Sequence, residues 1–249
     1  MVHYNSDYEL NFIKLIQLLT SGSIVEINET GTEFRYRPGI INNNNGNDIV
    51  FECGSERSIC YYLEFIIPIC IFGKMPLKLI MKGFTNDESD IGIDSFKVEL
   101  LSIIRRLEII GDFYINIKNR AFKRGIDGIV EIKLPIVTNL NPIKWEKVGK
   151  IKRIRGIAFS CKTSTDLLNR IIDNCRGIFN NLLPDVWISS EINQFSNTPG
   201  YGLSLVALST NGFTLTTDII FSKQFNTPEE IAREGCKRLL DEIRTVIFN

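Results

Sequence analysis

Apolar positions along this chain change period several times, and each change marks an element. From Ser6 to Gly22, residues Leu10, Ile13, Leu15, Ile16 and Leu19 form a helical stripe. Ser6 and Glu9 have capping-box spacing at its start, and Gly22 stops it. Ser23–Ile27 and Thr32–Arg37 are β-branched or alternating runs around the turn Glu29-Thr30-Gly31, which predicts two strands. Pro38-Gly39 ends the second. The asparagine run from Asn42 to Asn47 predicts a polar, mobile loop.

From residue 49 the pattern predicts a strand (Ile49–Cys53), a helix (Glu56 to about Phe72, kinked or ended by Pro68) and a strand (Leu77–Met81). A second helix follows (Asp94–Leu107), with Phe96, Leu100, Ile103, Ile104 and Leu107 inward and Arg105-Arg106 outward. Two more strands (Phe113–Ile117 and Ile129–Leu134) are joined by the glycine-bearing basic turn from Arg120 to Gly128. Residues 49–134 thus spell strand-helix-strand-helix-strand-strand. Residues 6–38 spell the tail of the same unit, so the chain is expected to begin within a repeat.

A connector with Pro135, Asn139, Asn141 and Pro142 leads into Gly149–Ser160, a β-branched strand punctuated by Gly156. An amphipathic helix (Ser164–Leu183) and three strands (Asp185–Ser190, Gly202–Leu208, Thr214–Phe221) come next. Thr227-Pro228-Glu229-Glu230 is a strong helix start, with a cap, a proline at the first position and an acid three residues on. That helix runs to about Val246, and no strand follows it, so the chain is expected to end within a unit as well. The alternation predicts an α/β (α+β) fold of βαβαββ repeats with mixed sheets.

Composition narrows the picture. The chain has 249 residues, 44% hydrophobic and 23% charged, with formal net charge zero. Any nucleic-acid contact must therefore come from a local patch. Six cysteines without CxxC or metal-ligand spacing, most in apolar runs, predict buried free thiols and a reducing compartment. No signal peptide is expected at the start. The most apolar run, Ile59–Phe72, carries Glu64 and Pro68 and is too short to span a bilayer. The one histidine, His3, is poor material for histidine-based catalysis.

Candidate chemistry lies in three places. Lys150, Lys152, Arg153 and Arg155 put four cations within six residues of one strand. They suit a phosphate backbone, or equally a solvated strand. Strand alternation places Lys150 and Lys152 on one face and Arg153 and Arg155 on the other. Gly83-Phe84-Thr85-Asn86-Asp87 joins a strand to a helix, where α/β folds bind ligands, or it is a plain cap-rich turn. Glu64 is either a buried functional carboxylate or an exposed residue of its helix. Pro199-Gly200-Tyr201-Gly202 lacks the spacing of a nucleotide cradle.

At Gly149–Ser160 the sequence resembles the RNA 3′-terminal phosphate cyclase superfamily, and most closely its eukaryotic cyclase-like branch of nucleolar ribosome-assembly factors. Ile24–Thr32, Tyr61–Glu64, Gly83–Asp87, Lys150–Gly156 and Gly200–Val206 carry the resemblance in order along almost the whole chain. It implies a large repeat domain (1–147), an inserted small α/β domain (148–222) beginning at the basic strand, and a helix (223–249) that returns to the large domain. It also implies that the chain lacks the opening segment of the family and its last portion, where cyclases carry the histidine that accepts AMP.

Departures from the cyclase pattern are as informative. Glu64 stands where cyclases place a glutamine near the nucleotide, and an acid repels a triphosphate. Gly83-Phe84-Thr85-Asn86 keeps most of a cyclase motif without the run that follows it, and the glycine turn is reduced to Arg124-Gly125-Ile126-Asp127-Gly128. The resemblance therefore implies a protein without cyclase activity or cofactor. It would act in small-subunit pre-rRNA processing in the nucleolus, with pre-rRNA, a small nucleolar ribonucleoprotein and a large ribosome-assembly GTPase as partners. An active ATP-dependent cyclase and a pre-rRNA endonuclease are the alternatives. The RNA- or anion-binding candidates are Lys150, Lys152, Arg153, Arg155, Arg57, Thr85 and Asn86.

Overall fold

Helix α1 (Asp7–Leu19) opens a computed structural model of the protein, which describes residues 7–123, 125–144, 147–221 and 227–248. His3, the expected cap Ser6, and Arg124 of the basic turn lie outside the described residues. After α1 come four short strands, β1 (Thr20–Ser21), β2 (Ile24–Ile27), β3 (Phe34–Arg37) and β4 (Ile40–Ile41). They pair antiparallel as β2–β3 and β1–β4. The asparagine run is not a loose loop. Asn43 is fully buried, and its Nδ2 donates to the carbonyls of Cys70 (3.1 Å) and Met75 (2.6 Å). Its amide satisfies one carbonyl at the end of the next helix and one just beyond it, which fixes this turn against that helix.

The expected βαβαββ unit is present. It comprises β5 (Ile49–Glu52), α2 (Ile59–Cys70), β6 (Leu77–Gly83), α3 (Ile93–Arg106), β7 (Tyr114–Asn119) and β8 (Gly128–Leu134). The sheet order is β5-β6-β8-β7, with β5 and β6 parallel and the rest antiparallel. Alternation along β6 and β8 buries Leu77, Leu79, Met81, Val130, Ile132 and Leu134 on one face. Leu15 and Leu19 of α1 join Tyr62, Leu63 and Ile66 of α2 in the same core. Pro68 sits inside the last turn of α2 and does not shorten it.

A second four-stranded sheet follows. β9 (Ile151–Cys161), α4 (Thr165–Phe179), β10 (Val186–Asn193), β11 (Gly200–Ser209), β12 (Thr214–Ile220) and α5 (Pro228–Phe248) build it in the order β10-β9-β11-β12. β9 and β10 are parallel, and the other pairs are antiparallel. Gly156 does not interrupt β9. A Cβ there would lie 2.8 Å from Leu205 Cδ2 and 3.1 Å from Ser204 O, so glycine lets neighbouring strands pack. The capping box at Thr227 forms, its Oγ1 accepting from Glu230 N at 3.2 Å while Glu230 Oε2 accepts from Thr227 N.

The placement of α5 differs from the expectation. Ile231, Ala232, Cys236 and Leu239 of α5 share one core with Leu168, Ile171 and Cys175 of α4 and Leu203, Leu205 and Ile219 of the second sheet. Arg170 and Glu229 add an ion pair between the two helices at 2.6 Å. The apolar stripe of α5 thus covers the sheet its own chain has just made, instead of returning to the first. All six cysteines are free and buried. Among the described residues no helix is long and apolar enough to cross a membrane.

Candidate nucleic-acid interface

β9 is hydrogen-bonded on both sides, so its residues are held in two fixed rows. Ile154 and Ala158 belong to the core under α4 and α5. Arg153 and Arg155 therefore point to the opposite face, as alternation predicts. Lys152 departs from alternation. Arg153 pairs with Leu208 but Ile151 pairs with Ser209, so Lys152 is the extra residue of a β-bulge. A bulge re-aims the side chain it carries. Lys152 consequently lines the same cleft as Arg153 and Arg155, while Lys150 borders a separate apolar hollow with Leu182, Leu183, Leu240 and Ile243.

That cleft encloses about 440 Å³ between α3 and the open face of the second sheet. Five cations line it, Arg105 and Arg106 from α3 and Lys152, Arg153 and Arg155 from β9, and no carboxylate does among the described residues. Val98, Leu101, Val206 and Leu208 form its apolar floor. Arg155 is partly engaged, with Nη1 2.7 Å from Asp185 Oδ1 and Nη2 3.0 Å from Oδ2. The hydrogen bond from Arg155 holds the Asp185 carboxyl below its ordinary range. The Nε of Arg153 is buried and has no hydrogen-bond partner among the described residues. A buried donor left open in this way favours an acceptor that enters the cleft.

α3 reaches the second sheet through a polar stripe at helical spacing. Gly92 N donates to Asp218 Oδ2 at 2.9 Å, and Ser95 Oγ donates to Asp218 Oδ1 at 2.7 Å. One and two turns on, Thr216 Oγ1 donates to Glu99, and Ser102 Oγ donates to Gly212 O at 3.2 Å. Burial raises the pKa of Asp218, against the hydrogen bonds from Ser95, Ser204 and Gly92. Burial likewise raises that of Glu99, partly offset by Thr216. Ile103, expected inward, is exposed. Arg106 instead turns toward Gly212, where any added Cβ would lie 2.6 Å from its Nη2.

Other sequence candidates lie elsewhere. Thr85 and Asn86 are 0% and 1% exposed. Thr85 N donates to Ala121 O at 2.8 Å, and Thr85 Oγ1 donates to Asn86 Oδ1 at 2.7 Å while lying 3.1 Å from Ala121 O. They clasp the strand end to residues 121–122 and present no surface to RNA. Arg57 makes a bidentate contact with Asp90 and lies 4.2 Å from the ring centroid of Tyr61, and it does not line the cleft. Its pKa is raised, chiefly by the Asp90 hydrogen bond. Glu64 sits on the exposed face of α2 and is not a buried carboxylate.

One functional-looking cluster had no sequence signal. Arg120, 1% exposed, donates from Nη2 to Asp94 Oδ1 at 2.7 Å and from Nε to Glu191 Oε1 at 2.8 Å. Its guanidinium also lies 4.7 Å from the Phe159 ring centroid. Burial opposes its charge, but the two carboxylates outweigh burial and raise its pKa. Asp94, Arg120 and Glu191 come from α3, the turn after β7, and β10, so this ion triad joins the two sheets. Phe122, stacked on Phe159 at 6.0 Å, extends the same junction.

The family model described as RNA 3′-terminal phosphate cyclase matches residues 6–244 of the chain. The chain belongs to this family. Among its relatives, an "RNA 3'-terminal phosphate cyclase-like protein" of Homo sapiens is 37% identical over 245 residues, covering 95% of this chain and 65% of the relative. A "Probable RNA 3'-terminal phosphate cyclase-like protein" of Dictyostelium discoideum is 39% identical, with 95% and 68% covered. The "rRNA processing protein rcl1" of Schizosaccharomyces pombe is 34% identical over 244 residues, with 96% and 66% covered. The chain thus spans about two thirds of the length of these cyclase-like relatives, and it falls on the cyclase-like side of the family.

Proposed function

We propose that this cyclase-like protein acts without catalysis in small-subunit pre-rRNA processing in the nucleolus, by binding pre-rRNA and protein partners. The observation that carries this reading is the cleft lined by Arg105, Arg106, Lys152, Arg153 and Arg155. Clustered cations bind a phosphate backbone by releasing its counterions, and neutral overall charge confines that binding to the patch. The rRNA-processing relative supports the substrate class. A small nucleolar ribonucleoprotein and a large ribosome-assembly GTPase are the proposed partners. The exposed acid Glu64 and the Thr85–Asn86 pair, closed into the fold, favour binding over nucleotide chemistry.

The test is titration of a pre-rRNA fragment at several salt concentrations. Binding weakens steeply as salt rises, and replacing Arg105, Arg106, Lys152 and Arg153 with glutamine lowers the salt slope by about 0.7 for each lost contact to a single strand. Lys150→Gln, on the other face, leaves the slope unchanged. A wild-type slope in the fourfold variant, or covalent labelling of the chain by radioactive ATP, overturns the reading.

A further inference from the structure

The sheet face that carries the cleft continues onto its edge strand. Trp187 of β10 is paired in register with Arg155, and in a parallel pair such neighbours project from the same side. On the other side of Arg155 the same row continues through Val206 to Thr216. Adjacent strands lie ~4.8 Å apart, so the Trp187 backbone runs one strand spacing from that of Arg155. Trp187 is 63% exposed. Trp187 belongs to neither apolar cluster of this sheet, the larger lying under α4 and α5 and the smaller around Phe122 and Phe159.

From this we infer that the β9–β10–β11 face is a single-stranded RNA platform, with Trp187 as the stacking surface for a base and the cleft cations as the phosphate track. Single-strand recognition combines those two parts, an aromatic plane for the base and a cationic groove for the backbone. The cleft has the volume of a small-molecule pocket, which admits a nucleotide and not a duplex. Its apolar floor of Val98, Leu101, Val206 and Leu208 suits a base or ribose more than a hydrated ion. Asp185, paired with Arg155, lies at the edge of the track, which Arg105, Arg106, Lys152 and Arg153 also line. The inference rests on the RNA-binding reading and adds to it the strand state and the stacking residue.

The chain has two tryptophans, Trp145 and Trp187. A Trp145→Phe background makes Trp187 the single reporter. A single-stranded pyrimidine RNA of about ten nucleotides, within the site sizes of single-strand binders, is titrated against it, with the same sequence as a duplex in parallel. The single strand is expected to quench Trp187 saturably and the duplex far less. Trp187→Ala, followed by anisotropy of labelled RNA, is expected to weaken binding about 5- to 100-fold with the salt slope unchanged, the range of one base–aromatic stack. Trp187→Phe restores most of the affinity. Salt-dependent RNA binding with no quenching and no effect of Trp187→Ala overturns the inference and leaves the RNA reading standing. No RNA binding by any form overturns both. An acidic peptide that quenches Trp187 and displaces the RNA at equal concentration makes the face a protein-docking surface and also overturns the inference.

Discussion

Ser95 of α3 donates a 2.7 Å hydrogen bond to Asp218 of β12, so a helix of one sheet and a carboxylate of the other share a buried polar joint. Ser204 of β11 lies 2.9 Å from the same serine, and the Gly92 amide completes the set. Burial is the largest influence on Asp218, and it raises the pKa despite these donors. Below its unfolded pKa the carboxyl is neutral in both states and burial costs little. As pH rises through the raised folded pKa, the unfolded chain ionises more readily and stability is lost. Asp218→Asn keeps an acceptor for Gly92 and removes the charge. In thermal melts from pH 4 to pH 8, the variant should gain stability relative to the natural chain as pH rises, and a constant difference would contradict this account.

Arg120 has the opposite character. It is a buried cation satisfied by two carboxylates, and removing it leaves Asp94 buried and unpaired. Breaking such a pair costs about 3–5 kcal/mol. Arg120→Met should lower the urea midpoint accordingly and should loosen the junction between the sheets, seen as faster amide exchange in β10 and α3. A change below about 1 kcal/mol would show that the triad is not maintained in solution.

Arg57 separates charge from function. Its guanidinium is held by Asp90, whose Oδ2 also accepts from Ser58 N at 2.9 Å ahead of α2. Arg57→Gln is expected to cost roughly 1–2 kcal/mol of stability through the lost charged hydrogen bonds. It should leave the salt slope of RNA binding untouched, while Arg106→Gln lowers it. Equal slopes for the two variants would return Arg57 to the RNA surface.

The order of helices and strands was legible because local signals agreed. Alternation in β6 and β8, the spaced apolar residues of α4, and the Thr227 cap each match one period or one terminus. Relations between distant elements were not. The stripe of Gly92, Ser95, Glu99 and Ser102 has the composition of a solvent face, yet it is a packing face because the second sheet supplies partners for each of its polar groups. Arg105 and Arg106 looked like ordinary outward cations for the same reason. Alternation alone puts Lys152 on the wrong face, because a bulge is set by the partner strand and nothing in β9 itself announces it. Asn43 lies in a run whose composition reads as loop, while its burial depends on the carbonyls at the end of α2. The helix α5 went to the nearer sheet, a choice decided by strand order and not by its own amphipathic pattern. Trp187 carried no weight as one aromatic in one strand, and only the register with Arg155 gives it meaning.

The cleft has two owners. Its β9 wall is encoded after residue 150 and its α3 wall before residue 107, with all of β7, β8 and the connector between them in the chain. A cut anywhere in that connector would distribute the five cations between two pieces, three to one and two to the other. Neither piece alone would hold the groove. Loss of RNA affinity on cleavage, with both sheets still folded, would be a property of the seam and of no single domain.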